Sequence, residues 1–210
     1  MLNNVSIDET VKHAEDLLHG GWVCAAACLQ GLREALDLRS EVIPWVAAGY
    51  WGAIASGQTI CGAIYGATAA IGFACGEKMA ERSETERQAR DRATTMTREF
   101  YQRFLKEFNR LDCRSLTGCD FGRPEEVKRY FGKQVWTDTC DKYLEFAIRT
   151  CYELEQEQKE KGVEKAENAC KVTNRVLGRT REVVAGSASE ACEKLGWKRE
   201  DCDVERVVEA

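Results

Sequence analysis

The stretch VIPWVAAGYWGAIASGQTICGAIYGATAAIGFACG, residues 42–76, contains no charged side chain and decides the fold prediction. It is longer than the roughly 20 apolar residues that a membrane-spanning helix needs. It is, however, rich in glycine and alanine, and Ser56-Gly57-Gln58-Thr59 interrupts it near the middle. Because each half then has the length of a buried core helix, we predict two helices of a helical bundle and no membrane span.

Helical spacing also occurs after this stretch, where the sequence becomes rich in charged residues. Phe100, Phe104 and Phe108 recur at intervals of about one helical turn, which predicts one apolar stripe on a long charged helix. We find no alternation typical of strands and therefore expect an all-α fold. The expected organisation is a cysteine-rich multi-helix bundle over residues 1–161, and a helical C-terminal extension over residues 162–210 that packs on the same core.

Local signals place several helix ends. Ser6 and Glu9 form a predicted capping box, in which each side chain satisfies a free backbone amide of the other residue. In the C-terminal extension, Gly178, Gly186 and Gly196 are predicted to separate two or three helices.

The composition of the chain excludes some classes of function and favours others. The chain has 30 basic and 35 acidic residues, a net charge of -5 and no basic stripe, so nucleic acid is not an expected partner. The first helix carries acidic residues and lacks the apolar centre of a signal peptide, so we expect a cytoplasmic location. Eleven cysteines in a reducing compartment favour metal or redox chemistry over a disulfide framework.

One cysteine opens the run Cys61-Gly62-Ala63-Ile64-Tyr65-Gly66. Thr59 is predicted to cap a helix there, so Cys61 falls in its first turn, where free amides and the helix dipole can lower a thiol pKa. Gly62 and Gly66 leave one helix face bare, which lets a cofactor approach closely. Close packing of another helix explains these glycines equally well.

Other cysteines share this placement. Cys24 and Cys140 are also predicted at helix starts, and Cys113 and Cys119 lie six positions apart in one predicted loop. No Cys-x-x-Cys occurs, and His13 and His19 lie outside the spacings of zinc motifs, so any metal must be held by thiolates from distant segments. Such soft ligands suit an iron–sulfur cluster or zinc. The predicted metal ligands are Cys24, Cys61, Cys113, Cys119 and Cys140; the predicted cofactor-contacting glycines are Gly62 and Gly66.

Three segments carry a family resemblance: Gly21-Trp22-Val23-Cys24-Ala25, the Cys61–Gly66 run, and Cys113-Arg114-Ser115-Leu116-Thr117-Gly118-Cys119, followed by Cys140. Together they resemble the C_GCAxxG_C_C family of redox-active proteins over roughly residues 20–152. The four cysteines of the family match Cys24, Cys61, Cys113 and Cys140. The resemblance implies a small helical protein with a cysteine-based redox or iron–sulfur site. A related domain accompanies haem in split-Soret cytochromes, but this chain has no haem attachment motif.

Three functions remain open at this point. The first is an iron–sulfur or other thiolate-metal protein in electron transfer or redox sensing, which works with a redox partner protein. The second is metal-free thiol–disulfide exchange, for which Cys113 and Cys119 are the nearest pair. The third is a helical interaction protein associated with a transporter. A homodimer is compatible with each of them.

Overall fold

The computed structural model describes residues 6–81, 83–167, 169–185 and 187–206. The chain divides into two compact units, residues 1–155 and 156–210. The first unit is helical, as predicted. Its elements are α1 (Ile7–His19), α2 (Cys24–Ala35), a 3₁₀ helix (Ile43–Tyr50), α3 (Trp51–Ile54), α4 (Gly62–Ala80), α5 (Glu86–Phe108), α6 (Cys113–Thr117), α7 (Pro124–Gly132), α8 (Val135–Asp138) and the first part of α9 (Cys140–Glu167).

The uncharged stretch folds as separate elements, not as one span. The 3₁₀ helix, α3 and α4 share it, and Gly57 adopts a positive φ of 73° in the turn between α3 and α4. Among the described helices, none is both long enough and apolar enough to cross a membrane. The predicted capping box is confirmed, since Ser6 and Glu9 exchange side-chain to backbone hydrogen bonds at the start of α1.

The core of the first unit forms where α4 and α5 meet α2 and α9. The predicted phenylalanine stripe is confirmed: Phe100 and Phe104 are fully buried, and Phe108 is partly buried. The rings of Phe104 and Phe108 pack against Tyr143 and Phe146 of α9. This contact fixes the first turns of α9, and with them Cys140, relative to the rest of the unit.

The second unit corrects the all-α prediction. It contains a three-stranded antiparallel sheet of order β2-β1-β3, so the C-terminal extension is not helical throughout. Val172 at the centre of β1 faces a small core that includes Cys170, Cys192 and Cys202. The elements are β1 (Ala169–Asn174), β2 (Arg179–Val184), α10 (Ala188–Lys194), a 3₁₀ helix (Arg199–Asp201) and β3 (Cys202–Arg206).

The glycines of this unit were predicted to separate helices, and the structure gives them partly different roles. Gly178 adopts a positive φ of 59° in the turn between β1 and β2, so it closes a hairpin and does not separate two helices. Gly196 follows α10 at a positive φ of 67°. The predicted break at Gly186 lies outside the described residues. Packing of this extension on the core of the first unit stays a prediction.

Candidate functional site

Two backbone hydrogen bonds bring Cys61 beside Cys113. The amide of Cys61 donates to the carbonyl of Leu111 at 2.8 Å, and the amide of Cys113 donates to the carbonyl of Thr59 at 2.9 Å. Residues 60 and 112 therefore pair as an isolated antiparallel bridge. This short pairing joins two cysteines that are 52 positions apart in the sequence.

Cys24 reaches the same place because α2 packs closely on α4. A Cβ atom built on Gly62 would overlap the Sγ atom of Cys24 and would stand 3.0 Å from the amide nitrogen of Ala25. A Cβ on Gly66 would stand 2.6 Å from the carbonyl oxygen of Ala25. Gly66 thus serves the helix crossing, which is the packing explanation for it, whereas Gly62 lies directly against a candidate ligand.

Cys140 completes the group from α9. The hydroxyl of Tyr143, one turn further along α9, donates to the carbonyl of Leu116 in α6 at 2.8 Å and so ties the two helices together. Cys24, Cys113 and Cys140 line one cavity. We call Cys24, Cys61, Cys113 and Cys140 together the thiol site.

Every cysteine of the thiol site lies at the N-terminal end of a helix. Cys24, Cys113 and Cys140 are the first residues of α2, α6 and α9, and Cys61 is the N-cap of α4. The sequence predicted this placement for three of them but put Cys113 in a loop. The amides at such ends are unpaired within the helix and favour negative charge.

Burial nevertheless keeps these thiols protonated. Burial, and next the Cys140 sulfur, raise the pKa of Cys61 to about 12, although the amides of Ala63 and Ile64 act in the opposite direction. Burial followed by repulsion from Cys140, Cys61 and Cys113 raises the pKa of Cys24 well above its ordinary value. Burial is also the largest cause of the raised pKa values of Cys113 and Cys140. The predicted lowering of the Cys61 pKa is therefore outweighed.

Cys119 occupies a different environment. It follows Gly118, which ends α6 at a positive φ of 64°, and it is completely buried. The guanidinium of Arg129 donates to its sulfur at 3.1 Å. Burial raises the pKa of Cys119, while Arg129 opposes that shift. Cys119 is thus a neighbour of the thiol site with a cationic partner of its own.

The remaining cysteines are buried, as expected for small apolar residues. Cys28 donates to the carbonyl of Ala63 at 3.4 Å within the helix crossing. The others lie in the hydrophobic clusters of the two units: Cys75, Cys151, Cys170, Cys192 and Cys202.

Residues that the sequence did not predict as part of a site surround the thiol site. The hydroxyl of Tyr130 and the sulfur of Cys140 form a hydrogen bond of 3.2 Å. His19 lines the cavity and bonds through Nε2 to the carboxylate of Asp141 at 2.9 Å. No local motif marks these residues, because helices distant in the chain bring them together.

Among the described residues, no group of three or more His, Cys, Asp or Glu side chains is placed to hold a single metal ion. The donor chemistry of the thiol site nevertheless fits a thiolate-bound group, because four cysteine sulfurs are the usual ligand set of an iron–sulfur cluster.

The family of the chain follows from a comparison with protein-family models. The model described as "Putative redox-active protein (C_GCAxxG_C_C)" matches residues 22–154. The chain belongs to this family. All four cysteines of the thiol site, and Cys119, lie within the matched residues. Neither the curated proteins nor the solved structures give a match to the chain.

Proposed function

We propose that this protein binds an iron–sulfur cluster through Cys24, Cys61, Cys113 and Cys140 and acts in electron transfer or redox sensing. The observation that carries the proposal is the convergence of thiols from four helix N-termini: Cys24, Cys113 and Cys140 share one hydrophobic cluster, and the backbone pairing holds Cys61 beside Cys113. Membership of a family described as redox-active supports the same class of function.

The electrostatics of the thiol site favour the binding of metal cations. Four buried thiolates would repel one another strongly, so the raised pKa values favour neutral thiols while no cation is present. Iron atoms replace the protons and offset that repulsion. In an iron–sulfur cluster the four thiolates bind more than one iron atom, so their sulfurs are spread more widely than the ligands of a single ion.

Metal-free thiol–disulfide exchange receives less support. That chemistry needs an accessible cysteine with a lowered pKa. Burial raises the pKa of Cys113 and of Cys119, which were the nearest predicted pair. We therefore place the redox chemistry on a bound group and not on a free thiol.

The test is the metal content of protein prepared without oxygen. We expect a brown protein with visible absorption, and iron and acid-labile sulfide in similar amounts. The variant Cys61→Ser should lose most of both. The matched control is Cys75→Ser, which changes a buried cysteine of the same helix that lies outside the thiol site. A colourless wild-type protein without iron, or equal loss in both variants, would refute the proposal.

A further inference from the structure

A cavity of about 790 Å³ opens beside the thiol site. This volume lies within the range of roughly 300–1,000 Å³ that is usual for pockets of small molecules. Cys24, Cys113 and Cys140 form one part of its wall, and the cavity extends from them to Trp45 and Trp51. It therefore reaches well beyond the sulfurs that we propose as ligands.

Aromatic rings make up much of the wall. Four of the five tryptophans of the chain line the cavity: Trp22, Trp45, Trp51 and Trp136. The ring of Trp51 packs against Phe131 with a centroid distance of 5.9 Å, and Phe131 lies equally far from Trp136. These rings leave broad apolar faces around one opening.

Tryptophan side chains at the entrance of the cavity are exposed to solvent. Trp45 is 75% exposed, and Trp22 and Trp51 are 43% and 40% exposed. Burying such rings against a ligand is favourable, because apolar surface then leaves water and flat rings gain stacking contacts.

The lack of charged side chains in the cavity wall favours an uncharged ligand. Of the described residues that line it, none is Lys, Arg, Asp or Glu. A phosphate-bearing cofactor would find no cationic side chain there, whereas an uncharged ring finds matching apolar walls. The wall also carries His19 and Tyr130, but His19 Nε2 is bonded to Asp141 and the Tyr130 hydroxyl to the sulfur of Cys140, so the apolar rings supply most of the contact surface.

We infer that this cavity binds an uncharged, planar, redox-active ring of the quinone class, held between the tryptophans and next to the thiol site. The choice of a redox-active ring rests on the proposed function. The existence of an aromatic-lined site for a neutral ring rests on the cavity alone.

Tryptophan emission provides a direct test. The fifth tryptophan, Trp197, lies in the second unit, so Trp197→Phe leaves emission from the cavity tryptophans only. Full-length Trp197→Phe protein would be titrated with duroquinone, whose fully substituted ring resists addition of thiols, and calorimetry would give an independent dissociation constant. We expect saturable quenching and a matching calorimetric constant. Flavin mononucleotide, which carries a phosphate, should bind at least tenfold more weakly.

Variants of the tryptophans at the cavity entrance test whether duroquinone binds there. Trp45→Ala and Trp51→Ala should each raise the dissociation constant for duroquinone about tenfold, which corresponds to the loss of one stacking partner. The control Val42→Ala changes an exposed apolar residue of the same segment that does not line the cavity, and it should bind like the parent. Trp45 is mostly exposed, so its variant should fold even if Trp51→Ala does not.

Three results would overturn the inference: quenching that does not saturate, unchanged binding in both tryptophan variants, or a dimer that Trp45→Ala converts to a monomer. The last result would make the aromatic wall a protein interface. The Cys61→Ser variant separates this inference from the proposed function, since Cys61 does not line the cavity. Both proposals together expect Cys61→Ser to lose iron and still bind duroquinone. In the wild-type protein, duroquinone binding without iron would refute the iron–sulfur proposal alone, and iron without duroquinone binding would refute the cavity proposal alone.

Discussion

Gly62 lies so close to the sulfur of Cys24 that a Cβ atom at position 62 would overlap it. The glycine is thus required where α2 meets α4, and the crossing of these helices sets the position of one candidate ligand. The Gly-x-x-x-Gly spacing of residues 62 and 66 therefore has two separate roles. Gly66 permits the helices to approach, and Gly62 makes room for the thiol of Cys24.

Gly62→Ala should displace the Cys24 thiol. We expect loss of most bound iron and a decrease in the free energy of unfolding of about 1–3 kcal/mol, because an added methyl group in a tight contact forces a shift of its neighbours. Iron analysis and urea unfolding of the same preparation would measure both effects.

Gly72→Ala is the control for this prediction. Gly72 lies in the same helix, and a Cβ there would meet nothing within 4 Å. Alanine should increase the free energy of unfolding by up to about 1 kcal/mol through its higher helix propensity and leave iron unchanged. Full iron content in Gly62→Ala would contradict the assignment of Cys24 as a ligand.

Cys113 and Cys119 should differ as ligands. Cys113 is held beside Cys61 by the backbone pairing, whereas Cys119 contacts Arg129. We expect Cys113→Ser to lose the visible absorption and Cys119→Ser to keep it. Spectra recorded under nitrogen at equal protein concentration would show this. The reverse pattern would exchange the roles of the two cysteines.

The sequence predicted much of the first unit because its signals are local. The capping residues Ser6 and Glu9 act within one turn, and the phenylalanine stripe of α5 repeats with the helix. The convergence of the thiols could be proposed from the sequence only as a hypothesis. It depends on a backbone pairing between residues 60 and 112, which no sequence pattern predicts.

The sheet of the second unit was missed for an identifiable reason. Val172 and Thr173 in β1, and Val183 and Val184 in β2, are β-branched residues that favour strands. Gly178 between the two strands is typical of a turn, and together these features indicate a hairpin. Charged residues in both strands obscured the alternation, because much of β2 is exposed to solvent.

The cavity could not be predicted from the sequence either. Its tryptophans come from three separate segments of the chain, with up to 114 positions between Trp22 and Trp136. Only the packing of α8 near α1 and α3 brings their rings around one opening, as the contact between His19 and Trp136 illustrates.

Tyr130→Phe should lower the reduction potential of the proposed cluster. The hydroxyl of Tyr130 bonds to the sulfur of Cys140, and burial raises the pKa of this tyrosine, so it keeps its proton. Hydrogen bonds to ligand sulfurs stabilise the more negative, reduced form. Loss of one such bond, worth about 1 kcal/mol, corresponds to a decrease on the order of 50 mV in a spectroelectrochemical titration.

Tyr143→Phe serves as the control for that titration. The hydroxyl of Tyr143 bonds to the carbonyl of Leu116 and not to a sulfur. We expect its reduction potential to stay within experimental error of the wild-type value. An equal shift in both variants would mean that the tyrosines act through the general packing of the site.

The metal-free protein should lose stability as pH rises above about 9. The Cys61 thiol has an ordinary pKa of 9.0 and a pKa of about 12 in the folded chain. Below the lower value the thiol is protonated in both states, so it adds no pH dependence. Between the two values the unfolded chain releases the proton and the folded chain retains it, so the free energy of unfolding falls by about 1.4 kcal/mol per pH unit for this thiol.

Urea unfolding of chelator-treated, reduced protein at pH values from about 8 to about 11 would measure this dependence. Cys61→Ser removes one titrating group, so above pH 9 its slope should be shallower than that of the wild type by about 1.4 kcal/mol per pH unit. The two proteins should show parallel slopes below pH 8, where the thiol is neutral in either state. Parallel slopes over the whole range would mean that Cys61 is not held as a neutral, buried thiol in the metal-free chain.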